Sequence, residues 1–235
     1  MTQSPPIDRV RLRGEAPAAD LGPLDVVAEG DADAVVAVGA EAIERAALAG
    51  GTPILAVGDD RQGTTREALT TAAAALAEGR YRAMTHSVLH VAVDGEQLTR
   101  GVFDVTLMTR EPARISEYAL SAAGERLFEV RADGVVVSTP LGSAGYGRAA
   151  GGPVVEPGGG LSVVPVAPFT TRASSWVVPG PLSLHVERDE GEVSLFVDGT
   201  EYRTIAPGQP VRVAVEDEFT CLRPLPASRR ELEKH

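Results

Sequence analysis

Asp133 to Val155 reads DGVVVSTPLGSAGYGRAAGGPVV, and the organisation of the whole chain turns on it. An Asp-Gly pair opens an apolar strand, Gly134 to Ser138. The strand runs into a loop carrying Gly142, Gly145 and Gly147, and the stretch closes on Gly151, Gly152 and Pro153. Missing Cβ atoms let a bulky polar ligand approach the backbone, and N–H groups not used in regular structure can meet phosphate oxygens. A tight inter-sheet turn that needs glycine only for its angles fits the same composition. On these residues alone both readings stand.

Upstream, the first third alternates strand and helix. Ala34 to Val38 (AVVAV) is an all-apolar run of the kind shown by a strand covered on both faces. Ala40 to Ala49 suits a helix closed by Gly50 and Gly51, and Pro53 to Val57 supplies the next strand. Two buried strands joined through a helix are expected to lie parallel, with their C-terminal ends at one edge, where ligands collect. Thr64 followed by Glu67 has the spacing of a capping box, which predicts a helix from Thr65 to Glu78. From about residue 83 the period becomes two. Strands are expected at His86–Val93, Gly101–Met108, Arg126–Arg131, Gly134–Ser138, Leu161–Val166, Leu182–Glu187, Val193–Val197, Glu201–Ile205 and Val211–Val215. Asp198-Gly199 is a tight-hairpin signal, because a primed turn needs positive φ. The tail from Arg229 reads as a short helix or a frayed end.

The chain has 235 residues, enough for one large domain or two small ones, and a formal net charge of -11. That charge disfavours a sequence-independent grip on nucleic acid, which depends on clustered Lys and Arg. No apolar run reaches the ~18–20 residues of a membrane span, and no secretory signal is visible, so a cytoplasmic location is expected. Cys221 is the single cysteine and reads as a core thiol. The four histidines do not group as a metal set; on a strand, His86 and His90 would sit some 13 Å apart. Lys234 is the only lysine. A carboxylate-rich, lysine-poor surface suits a salt-rich cytoplasm, and simple compositional bias toward arginine accounts for it equally well. If salt is the reason, stability against urea rises as KCl is taken to molar concentration; a flat response leaves compositional bias.

The central stretch resembles the signature of the NAD kinase family, in which a strand beginning Asp-Gly leads into Thr-Pro-x-Gly-Ser-x-x-Tyr and then Gly-Gly-Pro. The matching residues here are Asp133, Gly134, Thr139, Pro140, Gly142, Ser143, Tyr146, Gly151, Gly152 and Pro153. Pro165 to Pro168 with Thr170, Trp176 to Pro179 and the Asp198-Gly199 hairpin resemble later parts of the family pattern, and the similarity runs from about residue 34 to 223. It implies a two-lobed fold, α/β plus all-β: a truncated Rossmann-like lobe over residues 1–80, rejoined by 223–235, and a β-sandwich-like lobe over 81–222. The ligand cleft is expected between them, with the Thr139–Gly147 loop facing the strand end at Gly39.

By the same resemblance, the activity is transfer of the γ-phosphoryl of ATP, with Mg2+, to the 2′-hydroxyl of the adenosine ribose of NAD, giving NADP. The protein would be a homodimer or homotetramer whose partners are nucleotides, with no nucleic acid, membrane or protein-held metal. The family's catalytic carboxylate lies in a Gly-Gly-Asp-Gly motif. Here Val38-Gly39-Ala40-Glu41 stands in its place, and a methyl group neither accepts a proton nor orients a metal ion. Glu41 and Asp133 are the remaining catalytic candidates. The residues implied to bind NAD or NADP are Gly39, Asp104, Asp133, Gly142, Ser143, Gly145 and Tyr146. The family's Asn before an acidic residue falls on Phe103-Asp104, so only the carboxylate remains. Turn formation for Asp133 and core packing for Tyr146 fit the sequence as well as ligand binding does. Asp59, Asp60 and Arg61 read as a solvated loop or as a phosphate or metal contact. Two activities are therefore expected as rivals: a weakened or redirected NAD kinase, and a non-catalytic nucleotide-binding paralogue acting as sensor or partner. Phosphorylation of some other small alcohol is a third.

Overall fold

The computed structural model describes residues 4–28, 30–58, 63–111, 114–170 and 173–226. Two compact units result, Met1–Thr85 with Phe219–His235, and His86–Glu218. Asp59, Asp60, Arg61 and the tail from Arg229 lie outside the described residues.

The first unit is an α/β structure. Its elements are β1 (Arg9–Arg13), β2 (Asp25–Val26), β3 (Ala34–Val38), α1 (Ala40–Ala49), β4 (Ile54–Val57) and α2 (Leu69–Ala77), followed by the start of β5 (Tyr81–Val93). The strands run parallel in the order β2-β1-β3-β4, and Cys221, in the last strand among the described residues, continues the series beside Ile54. Every residue of β3 and β4 is buried, which is why both read as unbroken apolar runs rather than alternating ones. Helix α1 turns Ile43 and Ala47, one turn apart, inward. It stops where Gly50, at φ 66°, returns its N–H to the carbonyls of Ala46 and Ala47. Burial pushes the Cys221 thiol up to about 12, as expected of a core cysteine.

The capping-box reading of Thr64 does not hold. Thr64 bridges to β4 instead: its N–H donates to Ala56 (2.9 Å) and its carbonyl accepts from Gly58 (2.9 Å). The hydroxyl that serves the turn belongs to Thr65, which accepts from the N–H of Ala68 at 3.3 Å, and the helix starts at Leu69. A long-range backbone pairing has overridden a local signal.

The second unit is all β apart from short helical turns. It contains the rest of β5, then β6 (Glu96–Gly101), β7 (Asp104–Thr109), β8 (Ser116–Ala122), β9 (Glu125–Ala132), β10 (Gly134–Ser138), the single turn α3 (Tyr146–Ala149), β11 (Leu161–Val166), β12 (Trp176–Val178), β13 (Leu182–Arg188), β14 (Val193–Val197), β15 (Thr200–Ile205) and the start of β16 (Val211–Pro224). One sheet has the antiparallel order β12-β11-β10-β7-β14-β15. In the other, β16, β13, β8 and β9 pair antiparallel, and β5 and β6 form a hairpin. The inner faces meet in one core that includes Val105, Leu107, Leu195 and Val197 from the first sheet and Leu89, Tyr118, Leu120 and Leu184 from the second. The single strand expected over Gly101–Met108 is two, broken at Val102-Phe103.

Candidate functional site

The pocket of the second unit follows from strand periodicity. Val105 and Leu107 of β7 point into the sandwich core, so Asp104, Thr106 and Met108 occupy the opposite face of the sheet. On β14, Leu195 and Val197 point inward and Phe196 outward, directly opposite Thr106. Tyr146, the first residue of α3, and Gly199 of the hairpin complete a cavity of about 280 Å3 lined by Asp104, Thr106, Met108, Tyr146, Phe196 and Gly199. Its walls are mostly apolar, and they carry the carboxyl of Asp104, the hydroxyls of Thr106 and Tyr146, and the rings of Tyr146 and Phe196. A cavity of this size suits a base with its sugar better than a whole dinucleotide.

Burial pushes the Asp104 carboxyl up to about 6, and the nearby Asp198 carboxylate pushes in the same direction; a hydrogen bond from the Thr106 hydroxyl opposes them. Tyr146 is 41% exposed. Its hydroxyl is shifted up by burial first and then by the charges of Asp104 and Asp133, which places both carboxylates within electrostatic reach of the ring. Asp133 is half-buried at the head of β10. Its carbonyl accepts from the N–H of Thr109 (2.9 Å) and from the hydroxyl of the fully buried Tyr118 (3.2 Å).

The glycine loop is tightly built. Thr139 donates its N–H to Phe103 (2.8 Å) and its hydroxyl to Val102 (2.6 Å). The same hydroxyl accepts from the N–H of Gly142 at 3.1 Å, and the N–H of Gly145 donates to Gly142 at 3.0 Å. Ser143 is fully buried; its hydroxyl donates to Pro140 (2.8 Å) and accepts from Val155 (2.9 Å). Gly142, Ser143 and Gly145 therefore shape the turn that carries Tyr146 to the pocket, and the amides of Gly142 and Gly145 are engaged within it. Gly142 has a further reason to be glycine: a Cβ there would run into the carbonyl oxygen of Phe103 and come within 2.5 Å of its carbonyl carbon.

The remaining candidates, Gly39 and Glu41, lie in the first unit, around a separate recess of about 280 Å3 shared with Arg13, Val38, Ala40 and Arg45. Gly39 takes φ 90°, donating its N–H to Val57 (2.8 Å) and accepting from Ile43 (3.0 Å), so it turns β3 into α1. Ala40 is the exposed first residue of that helix. The Glu41 side chain is 83% exposed and pairs with Arg45 one turn along. Of the residues singled out from sequence, Asp104 and Tyr146 meet in one cavity with Asp133 in electrostatic reach.

The Asp198-Gly199 hairpin is legible in the sequence, but what the Asp198 carboxylate reaches is not. Its carboxylate accepts three backbone hydrogen bonds, from Val102 (2.7 Å), Phe103 (2.8 Å) and Asp104 (2.9 Å), and its own N–H donates to the Asp104 carbonyl (2.9 Å). That cradle bends the chain between β6 and β7. Nothing local in the sequence signals it, because donors and acceptor are more than ninety positions apart.

Residues 103–220 match the family of the ATP-NAD kinase C-terminal domain. The NAD kinase of Methanosarcina acetivorans is 36% identical over 126 residues, covering 52% of this chain and 46% of that one. The NAD kinase of Symbiobacterium thermophilum is 33% identical over 227 residues, covering 89% and 80%. Measured against relatives such as the Methanosarcina protein, the chain spans about half their length. Among solved structures, yeast NADH kinase complexed with NADH superposes with a TM-score of 0.70 over 94% of this chain and 84% of that one, at 15% identity, a likeness of fold.

Proposed function

The chain belongs to the NAD kinase family, and from that premise we propose that the cavity of its second unit holds the adenosine end of NAD or NADP and that phosphoryl transfer to NAD is slow. The observation that carries the binding reading is the cavity itself: Asp104 and Tyr146 converge on the outer face of β7 and β14, inside the part of the chain that matches the family. Ionised Asp104 is an acceptor for ribose hydroxyls or a base amine, Tyr146 offers a ring to stack on, and Met108 and Phe196 give apolar contact. Asp133 does not line the cavity, and its charge acts on the Tyr146 hydroxyl from outside it, as a second carboxylate for a ligand extending past the ring.

Transfer needs more than binding. The γ-phosphorus of ATP must bond to the ribose 2′-oxygen as ADP leaves, and the hydroxyl proton must go to a base or be oriented by one. At the position where the family carries its aspartate this chain has Ala40, and neighbouring Glu41 is tied to Arg45 in solvent. Mg2+ would enter with the phosphates of ATP rather than in a protein cage. The working protein would be a cytoplasmic homodimer or homotetramer. The rival reading, a paralogue that binds the nucleotide without turning it over, draws on the same residue, Ala40.

Ala40→Asp separates the two. The position is exposed and opens a helix, where a carboxylate is favoured by the helix dipole, so the variant folds. With NAD, ATP and Mg2+, NADP formation is expected to rise by about 100-fold, the usual scale for a restored acid–base group. Turnover that stays at background in a variant that still binds NAD favours the non-catalytic paralogue. Brisk turnover by the unaltered protein, abolished by Glu41→Gln or Asp133→Asn, overturns the view that Ala40 limits it.

A further inference from the structure

The Asp198 hairpin and the glycine loop grip the bend between β6 and β7 from opposite directions. From one side, the Asp198 carboxylate holds the N–H groups of Val102, Phe103 and Asp104. From the other, the carbonyls of Val102 and Phe103 receive the hydroxyl and N–H of Thr139. Two glycines make the approach possible. A Cβ on Gly101 would lie 2.5 Å from Cγ1 of Val197 and 3.1 Å from Oδ1 of Asp198, and one on Gly142 would overlap the Phe103 carbonyl. The three-residue bend is thus clamped between the hairpin carboxylate and the glycine loop, with Asp104 at its end facing the cavity.

We infer that Asp198 is the positioning residue of the pocket, fixing Asp104 directly through its amide and the Thr139–Tyr146 loop indirectly through the backbone of Val102 and Phe103. Asp198 does not line the cavity, and its two carboxylate oxygens are occupied by three amides. Its influence on a ligand therefore passes through other groups, mechanically along the bend and electrostatically through the Asp104 carboxyl beside it. Charge-assisted bonds to backbone N–H groups are among the stronger ones, so the clamp is stiff. Burial raises Asp198 above the ordinary carboxylate range even against three amide donors, yet an anion is what those donors require. The benefit to ligand binding rests on the dinucleotide reading above; the clamp itself does not.

The test uses the intact protein with Asp198→Asn as the main variant. An amide oxygen keeps some of the three bonds, but its NH2 must face an N–H donor and the charge is gone. Three readouts are taken: hydrogen exchange at the Thr139 amide, the titration of the Asp104 carboxyl by NMR, and NAD affinity by calorimetry. Thr139 exchange is expected to accelerate at least about tenfold, Asp104 to titrate at lower pH because a neighbouring negative charge has been removed, and NAD affinity to fall roughly tenfold to a hundredfold, the scale of a lost charged hydrogen bond. Gly101→Ala, which displaces the carboxylate without neutralising it, should speed Thr139 exchange as well, and the double variant should be little worse than either single one. Should the unaltered protein fail to bind NAD while Asp198→Asn still loosens Thr139 and shifts Asp104, the clamp stands and the dinucleotide reading falls. Unchanged Thr139 exchange and unchanged Asp104 titration in Asp198→Asn overturn the inference, as does strict additivity of the two substitutions.

Discussion

Asp104→Asn is expected to make the protein more stable at pH 8 and, at the same time, a poorer binder of NAD. Asp104 holds its proton more tightly in the folded chain, at about 6, than an unfolded aspartate does at about 3.9. Stability from this group is thus fully present below about pH 4, declines as pH rises, and is lost above about pH 6, where the folded state carries a buried anion next to Asp198. Two pKa units correspond to about 3 kcal/mol as an upper bound, since the side chain is only partly buried. Asparagine is neutral at every pH and keeps an oxygen for the Thr106 hydroxyl. Urea unfolding should therefore show Asp104→Asn more stable than the unaltered protein by about 1–3 kcal/mol at pH 8 and nearly equal to it at pH 4. Loss of the anionic acceptor should meanwhile weaken NAD by about tenfold. Equal stability at both pH values would mean that the carboxyl is not strained by its surroundings. A site residue that costs stability for the sake of binding is a familiar trade.

Gly142→Ala is expected to give the largest loss of stability of any single methyl group added near the pocket. The new Cβ meets backbone rather than a side chain that can swing aside: the Phe103 carbonyl oxygen, its carbon at 2.5 Å and its Cα at 2.7 Å. Phe103 cannot retreat, since its N–H is held by Asp198 and its carbonyl by Thr139. Overpacking against fixed backbone costs about 2–4 kcal/mol, which for a chain of this length lowers Tm by roughly 10 °C. Gly145→Ala is the control. Its Cβ would meet only the Gly142 carbonyl oxygen at 3.2 Å, and the expected change is under about 1 kcal/mol. A thermal melt of the two variants decides, and similar Tm values for both would show that the bend yields.

The parts of the fold that were legible from sequence are those where one physical demand dominates. The bounds expected for β3, α1, β10, β11 and β14 agree with the structure, because full burial or a glycine stop leaves little choice. Strand β1, RVRLR, was missed: only Val10 is buried, and alternating arginines look like a solvated segment until β2 and β3 flank it. Strand β8 and the hairpin arm β6 are likewise not among the strands expected from sequence. Asp104 and Tyr146 were found through a resemblance, since neither residue type is unusual where it stands. Thr106, Met108 and Phe196 were not found, because their role depends on which face of β7 and β14 turns outward and on a pairing between residues some ninety positions apart. The Asp198 clamp is a tertiary fact of the same kind; the sequence carries the turn but not what its carboxylate reaches.

The cavity of Asp104, Thr106, Met108, Tyr146, Phe196 and Gly199 is the proposed adenosine site. Calorimetric titration of NAD into the unaltered protein, Asp104→Asn and Tyr146→Ala at pH 7.5 tests this most directly. The expected result is one saturable site per chain, weakened about tenfold or more in each variant while their far-UV spectra stay unchanged. Binding of the same strength in all three proteins, or no binding of NAD, NADP or ATP to any of them, would contradict it.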